Sequence, residues 1–337
     1  MARKTVTLNS IAEACGISSV TVSKALSGKD GVSDELREKI KNTAREMGYV
    51  FPVRPSKSEI NGNIGIIIPE KFVNPIGTFY WTLYNKIVQR LKQDNISCIQ
   101  ENINEQEEAS LTPPNILTND KIVGLISLGQ LDPEYIKMLM KLTGNIILLD
   151  YYLPDINIDA VISNGISGGY RITKHLIENG HKDIGFVGTR LATSSIFDRF
   201  VGFSKAMLEN GLTVREECII NDRNNDNMFF GDFGEIILPE KMPTAFVCNC
   251  DEIAFIIIRK LKNLGYSVPD DISVVGYDNF LISDIAEPQI TTISVDAAEL
   301  ADASVSLLMD RINNPLKKSE IRSINGELEI KNSVRRI

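Results

Sequence analysis

Apolar positions in the first fifty residues recur at helical spacing in three short bursts. Thr7 precedes the first, in which Leu8, Ile11 and Ala12 share a face up to Cys15; a threonine there can accept a hydrogen bond from the open amides of the first turn. Gly16 turns the chain. Ser18 caps the second burst, which puts Val22 and Leu26 on one side and Ser19, Thr21, Ser23 and Lys24 on another. The third follows Ser33, with Asp34 and Glu35 at the positive end of the helix dipole and a stripe of Leu36, Ile40, Ala44 and Met47 that stops at Gly48. Helix, tight turn, helix and supporting helix predict a helix-turn-helix unit. Residues 51–62, FPVRPSKSEING, carry Pro52 and Pro55 among polar residues and read as a linker.

From Asn63 the pattern changes. Short apolar runs (NIGIIIP, ISCIQ, KIVGLISL, NIILLDYY) alternate with amphipathic helical stretches (FYWTLYNKIVQRL, PEYIKMLMKL, GGYRITKHLIENG). The alternation restarts with DIGFVG, SIFDRFVGFSKAMLENG, TAFVCNC, DEIAFIIIRKLKNLG and ISVVGYD. Such βα repetition predicts parallel sheets covered by helices, and the length of the stretch predicts two of them. A ligand would then sit between two lobes, at the carboxyl ends of the strands.

Charge sharpens this division. The 337 residues carry a net charge of −8, yet residues 1–60 hold ten Lys/Arg against seven Asp/Glu, so only the start of the chain suits a polyanion. No apolar run is long enough to span a bilayer, and MARKTVTLNSIAEACG lacks the apolar stretch of an export signal, so a cytoplasmic protein without a membrane partner is expected. The cysteines Cys15, Cys98, Cys218, Cys248 and Cys250 are scattered, and His175 and His181 flank one helix end. No zinc spacing, nucleophile motif or phosphate-binding glycine loop occurs. No catalytic residue, metal or cofactor is therefore expected, and the chain reads as a non-enzyme.

TVTLNSIAEACGISSVTVSKALSG followed by VSDELREKIKNTAREMGYV resembles the DNA-binding headpiece of the lactose-repressor (LacI/GalR) family of bacterial transcription regulators. ENGHKDIGFVG, DRFVGF, TAFVCNCDEIA, VPDDISVVGYDN and QITTISVD resemble landmarks of that family's body, in the same order. The resemblance implies an N-terminal all-α helix-turn-helix headpiece (1–50), a hinge (51–62) and an α/β two-lobed periplasmic-binding-protein-like core (63–337). In that scheme the first lobe takes about 63–161 and 292–320, and the second about 162–291 and 321–337. It further implies a homodimeric repressor on a pseudo-palindromic operator, controlled by a small effector, with a sugar or oligosaccharide favoured here. The alternative is a catabolite-control type governed by a phosphorylated partner protein.

By similarity Ser19, Val20 and Lys24 face bases, while Thr21, Ser23 and Asn9 or Ser10 lie nearer phosphates, with Thr7 and Ser18 at the helix starts; small side chains there let the backbone approach the groove. The linker departs from its relatives. It has two prolines and no leucine wedge, so Arg54 and Lys57 are the residues expected to reach the minor groove. In the cleft, Arg199 matches the arginine that holds sugar hydroxyls, its alternative being an ion pair with Asp198 or Asp222. Asp278 and Asp150 end strands where carboxylates accept hydroxyls. Ser195, Cys250 and Asp251 join the set. Cys250 stands where an asparagine is usual, which removes one hydrogen bond, and Asp251 fits a helix cap. Phe79, Trp81, Tyr151, Tyr152 and Phe197 supply rings that can stack on a sugar face.

Overall fold

The computed structural model describes residues 7–27, 32–47, 62–73, 79–223 and 236–337. The chain divides into two units, Met1–Ser58 and Glu59–Ile337. In the first, α1 (Leu8–Cys15) and α2 (Ser19–Ser27) are joined by Gly16 in the left-handed region (φ 69°), and α3 (Asp34–Glu46) supports both. A glycine is needed at that turn because a Cβ disfavours positive φ. Among the described residues Ile11, Ala12, Val22, Ala25, Ile40 and Ala44 form the unit's core, with Leu36 and Met47 packed against it; all but Ala25 are predicted by the sequence, and the side chains of Leu8 and Leu26, predicted with them, lie outside the described residues.

The first lobe of the second unit begins β1 (Asn63–Pro69), α4 (Phe79–Gln93), β2 (Cys98–Ile103), α5 (Glu105–Ala109), α6 (Asn115–Asn119) and β3 (Ile122–Leu128). It continues α7 (Pro133–Leu142), β4 (Ile146–Leu149) and β5 (Asp159–Ser163). The second lobe takes α8 (Gly165–Glu178), β6 (Ile184–Val187), α9 (Ser194–Glu209), β7 (Ile219–Ile220), β8 (Ala245–Cys248), α10 (Asp251–Asn263), β9 (Ser273–Val275) and α11 (Leu281–Ile285). The chain then returns through β10 (Thr292–Ser294) to α12 (Ala297–Asn313) and β11 (Ile321–Ile324), and ends after β12 (Glu327–Glu329).

The first sheet has the order β11-β5-β4-β3-β1-β2 and the second β7-β6-β8-β9, both parallel throughout. Strands covered on both faces read as nearly continuous apolar runs. In NIGIIIP, Ile64, Ile66 and Ile68 join the cluster under α4 and α12, while Ile67 joins the opposite face with Leu125, Leu139 and Leu148. The antiparallel pair β10-β12 forms a small ribbon. One boundary differs from expectation. β11 pairs with β5 in the first sheet, Ile321 opposite Ala160 through Ile324 opposite Ser163, so residues 321–324 belong to the first lobe and the return to the second follows Ile324. Residues 321–329 form two strands, β11 and β12, separated at Asn325–Gly326. Among the described residues, no helix is long and apolar enough to cross a membrane.

Candidate ligand cleft and nucleic-acid interface

The carboxyl ends of both sheets open on a cavity of about 410 Å³ between the lobes. From the first lobe, Asp150 leaves β4 with φ 71° and points into it, 5% exposed. The Tyr80 hydroxyl donates to Asp150 Oδ2 at 3.0 Å, while Oδ1 is buried without a partner. From the second lobe, α9 starts at Ser194 with Thr193 as its cap, Thr193 Oγ1 accepting from the Ile196 amide at 3.2 Å. One turn further in, Arg199 reaches across the floor. Its Nη2 donates to Asp278 Oδ1 at 3.0 Å and its Nη1 to the Asn249 carbonyl at 2.5 Å, while Nε is buried without a partner. The guanidinium also lies 3.9 Å from the centroid of the Tyr277 ring, which holds it as a cation against a π-face.

Glycines allow this placement. A Cβ on Gly169 of α8 would stand 2.3 Å from the Arg199 carbonyl oxygen, and one on Gly202 of α9 would stand 2.2 Å from that of Ile166. The two helices therefore touch backbone to backbone, and Arg199 is set at the depth of the floor.

Burial dominates the electrostatics. It raises the Asp150 carboxyl to about 7; Arg199 pulls it down, and Asp278 pushes it up. Asp278 is raised by burial and pulled back by Arg199. Burial also works against the charge on Arg199, but Asp278, Tyr277 and Asp150 outweigh it and hold the guanidinium protonated. The floor thus presents one fixed cation, one ion-paired carboxylate and one carboxyl that titrates near neutrality.

Of the residues named from sequence, Phe79, Asp150, Ser195, Arg199, Cys250 and Asp278 line the cavity, and Tyr151 and Asp251 do not. Tyr151 is 1% exposed in the first-lobe core with its hydroxyl 2.7 Å from Ser127 Oγ, because the left-handed backbone at Asp150 turns the chain. Asp251 is fully buried. Its Oδ1 accepts from Thr292 Oγ1 at 2.6 Å and its Oδ2 from the Phe280 amide at 2.8 Å, so it ties loop to helix. It is the first residue of α10, not its cap, which is Cys250. Trp81 is exposed and stacked on Tyr84, Phe197 is exposed, and the Tyr152 hydroxyl donates to Asp198 at 3.1 Å; none of the three lines the cavity. The ion pair of Arg199 is with Asp278, not with Asp198 or Asp222.

Sequence reasoning missed Phe72, Tyr80, Asn249, Arg223, Glu252 and the α11 residues Leu281, Ile282 and Ile285. Tyr80 sits beside Phe79 in one apolar run, and periodicity cannot say which of two neighbours turns inward. Asn249 could have been found: the asparagine expected at position 250 stands one residue earlier, where its Nδ2 donates to Asp222 Oδ2 at 2.6 Å.

In the headpiece, Thr7 and Ser10 form a reciprocal cap, Ser10 Oγ accepting from the Thr7 amide at 2.8 Å and Thr7 Oγ1 from the Ser10 amide at 3.3 Å. Ser18 Oγ accepts from the Thr21 amide at 3.1 Å and lies 2.8 Å from Thr21 Oγ1. Ser18 and Lys24 are exposed, and Ser19 and Thr21 half-buried. Asn9, Val20 and Ser23 fall on helical backbone, but their side chains, like Arg54 and Lys57 entirely, lie outside the described residues. Among the described residues, no group of three His, Cys, Asp or Glu could hold a metal ion.

Residues 7–51 match the family of bacterial regulatory proteins of the lacI type, and residues 173–334 match the periplasmic binding protein-like domain. The chain thus carries a lacI-family helix-turn-helix domain followed by a periplasmic-binding-protein-like domain. With that pair of domains it is a DNA-binding transcriptional regulator with a ligand-binding type of core, and not an enzyme. The HTH-type transcriptional repressor PurR of Actinobacillus pleuropneumoniae serotype 3 (strain JL03) is 27% identical over 339 residues, covering 98% of this chain and 99% of its own. A LacI family transcriptional regulator from Enterococcus faecium, solved with bound ribose, is 26% identical with a TM-score of 0.68 over 82% of this chain and 99% of that one. The lac repressor dimer bound to operator and the anti-inducer ONPF shares the fold at 22% identity, with a TM-score of 0.64 over 98% of this chain and 100% of that one.

Proposed function

We propose that this regulator is a homodimeric repressor of a pseudo-palindromic operator whose DNA affinity is set by a carbohydrate in the cleft. One observation carries the ligand class: Asp150 and Arg199, which line one cavity, each keep a buried polar atom without a protein partner, the acceptor Oδ1 and the donor Nε. Unsatisfied buried polar atoms are costly. A sugar hydroxyl both donates and accepts, so a polyol can satisfy both, while Phe79 and Phe280 offer ring faces to its C–H surface. The Enterococcus faecium regulator with bound ribose supports the same class. A purine-type ligand is the second reading, favoured by the relatives named PurR. Nothing in the described residues favours a phosphorylated partner protein over a small molecule.

Ligand would act by binding two dimer geometries with different affinity, which changes the spacing of the headpieces. On the DNA side, Ser19, Val20 and Lys24 are proposed to face bases, and Thr21, Ser23 and Asn9 or Ser10 the phosphates, with Arg54 and Lys57 reaching the minor groove.

The test is calorimetric titration of the full-length protein with pentoses, hexoses, disaccharides and purine bases, followed by operator binding with and without the ligand found. A sugar that binds and changes operator affinity is the expected outcome. Binding by a purine base alone would replace the carbohydrate reading by the second one.

A further inference from the structure

Ser194 and Asp198 stand one turn apart on α9, and each comes one position before a residue of the cavity wall, Ser195 and Arg199. Residues four apart share a face of a helix, so α9 carries two adjoining faces there. One lines the cavity. The other meets the first lobe.

The Ser194 amide donates at 2.8 Å to Oε1 of Gln130, in the loop that follows β3. Ser194 Oγ accepts from the amide of Tyr152, between β4 and β5, at 3.4 Å. Asp198 Oδ1 accepts from the Tyr152 hydroxyl at 3.1 Å. Asp198 is 7% exposed, and among the described residues that hydroxyl is its one hydrogen-bond donor. Amides in the first turn of a helix find no carbonyl inside it. In α9 the second lobe's own Thr193 takes that of Ile196, while the first lobe's Gln130 takes that of Ser194. Both lobes therefore cap one helix.

These three bonds join protein to protein, and they grip the two segments that build the cavity floor. Tyr152 follows Asp150 by two residues, and Asp198 immediately precedes Arg199. Parting the lobes would break all three and carry Arg199 away from Asp150 in the same motion.

We propose that Gln130 and Tyr152 are positioning residues, a latch that holds the first lobe on α9 and keeps the cleft closed whether or not the cavity is filled. Neither lines the cavity. Tyr152 thus acts as a clasp, not as a ring stacked on ligand. A ligand gains because Asp150 and Arg199 already stand at their closed spacing, and its apparent affinity follows the closed fraction.

The test is amide hydrogen exchange of the full-length protein without added ligand, resolved at Ser194. An unpartnered first-turn amide exchanges freely, so protection there reports the latch. The unaltered protein should be protected and Q130M should not. Y152F and D198A leave the Ser194 amide and Gln130 in place, yet each should speed exchange at Ser194 about fivefold, the effect of one hydrogen bond on the closed fraction. D198N keeps an acceptor for the Tyr152 hydroxyl and should exchange like the unaltered protein.

Free exchange at Ser194 in the unaltered protein overturns the proposal, whatever the variants do. Unchanged exchange in both Y152F and D198A overturns it too, because each bond would then be local. So does an equal acceleration throughout α10, which takes no part in the latch and would report a general loss of stability. For a sugar that binds, Y152F should weaken affinity by the factor seen in exchange, and unchanged affinity would remove the positioning role. If no sugar binds, the carbohydrate reading falls and the exchange result alone decides the latch.

Discussion

Arg199 Nη2 and Asp278 Oδ1 stand 3.0 Å apart with both side chains 7% exposed, and this ion pair joins α9 to the loop that follows β9 at the floor of the cleft. Removing one member of a buried pair strands the other charge, which costs about 3–5 kcal/mol. Arg199→Ala should therefore lower the unfolding free energy by about that much, and R199M/D278L should recover most of it. Both variants should lose ligand binding, because the donors and acceptors of the floor are gone. Urea unfolding and calorimetric titration check the two halves separately.

The Asp150 carboxyl, raised by burial to about 7 from an ordinary 3.8, makes both stability and ligand affinity depend on pH. Between those values the folded state binds the proton more tightly than the unfolded chain, so this group's stabilising contribution is lost as pH rises toward 7. Asp251, raised to about 8 chiefly by burial, acts with the same sign at slightly higher pH. Asp150→Asn should flatten the part of the stability profile below about pH 7 in thermal unfolding between pH 5 and 8. A hydroxyl donating to Asp150 Oδ1 favours the carboxylate, so binding should release a proton near neutrality and tighten as pH rises. Titrations in two buffers of different ionisation enthalpy measure that proton.

Asp251 touches no part of the cavity wall surface, yet it holds the Phe280 amide. Asp251→Ala leaves that half-buried amide and the buried Thr292 hydroxyl without their acceptor, at up to about 1–3 kcal/mol for each unsatisfied group. The melting temperature should fall and ligand affinity should weaken as the Phe280 ring shifts. Thr292→Val removes only the hydroxyl, so it should cost less stability and leave ligand affinity unchanged.

Gly169→Ala should force α8 from α9, because the new methyl would meet the Arg199 carbonyl oxygen. Overpacking of this kind costs about 1–3 kcal/mol. Since the displaced backbone carries Arg199, ligand affinity should fall with stability. A variant that loses stability but binds normally would show that the guanidinium position is set by Asp278 and Asn249 alone.

In the headpiece, Thr7→Ala removes the reciprocal cap with Ser10 and should cost about 1 kcal/mol of its stability. Lys24→Ala should change which operators are preferred, whereas Ser23→Ala should weaken all alike. Selection from a randomised palindrome separates the two outcomes.

Local order was written in the chain. The caps at Thr7 and Ser18, the turn at Gly16, the stripe of Ile40 and Ala44, and the doubly apolar strands are set by spacing and backbone preference, which act over a few residues. The membership of Arg199, Asp150 and Asp278 in one cleft followed from strand ends and family resemblance. Tertiary structure decided what depends on two distant segments at once. It paired β11 with β5 across 157 residues of intervening chain, by the ladder that sets Ile321 opposite Ala160 and Ile324 opposite Ser163. It sent Tyr151 into the core and Tyr80 into the cavity, since the left-handed turn at Asp150 and the rotation of α4 are invisible to periodicity. It gave Arg199 the partner Asp278, 79 residues on, over the neighbouring Asp198. Spacing along a chain fixes which side of an element a residue occupies, but only the packing of one element on another fixes what that side meets.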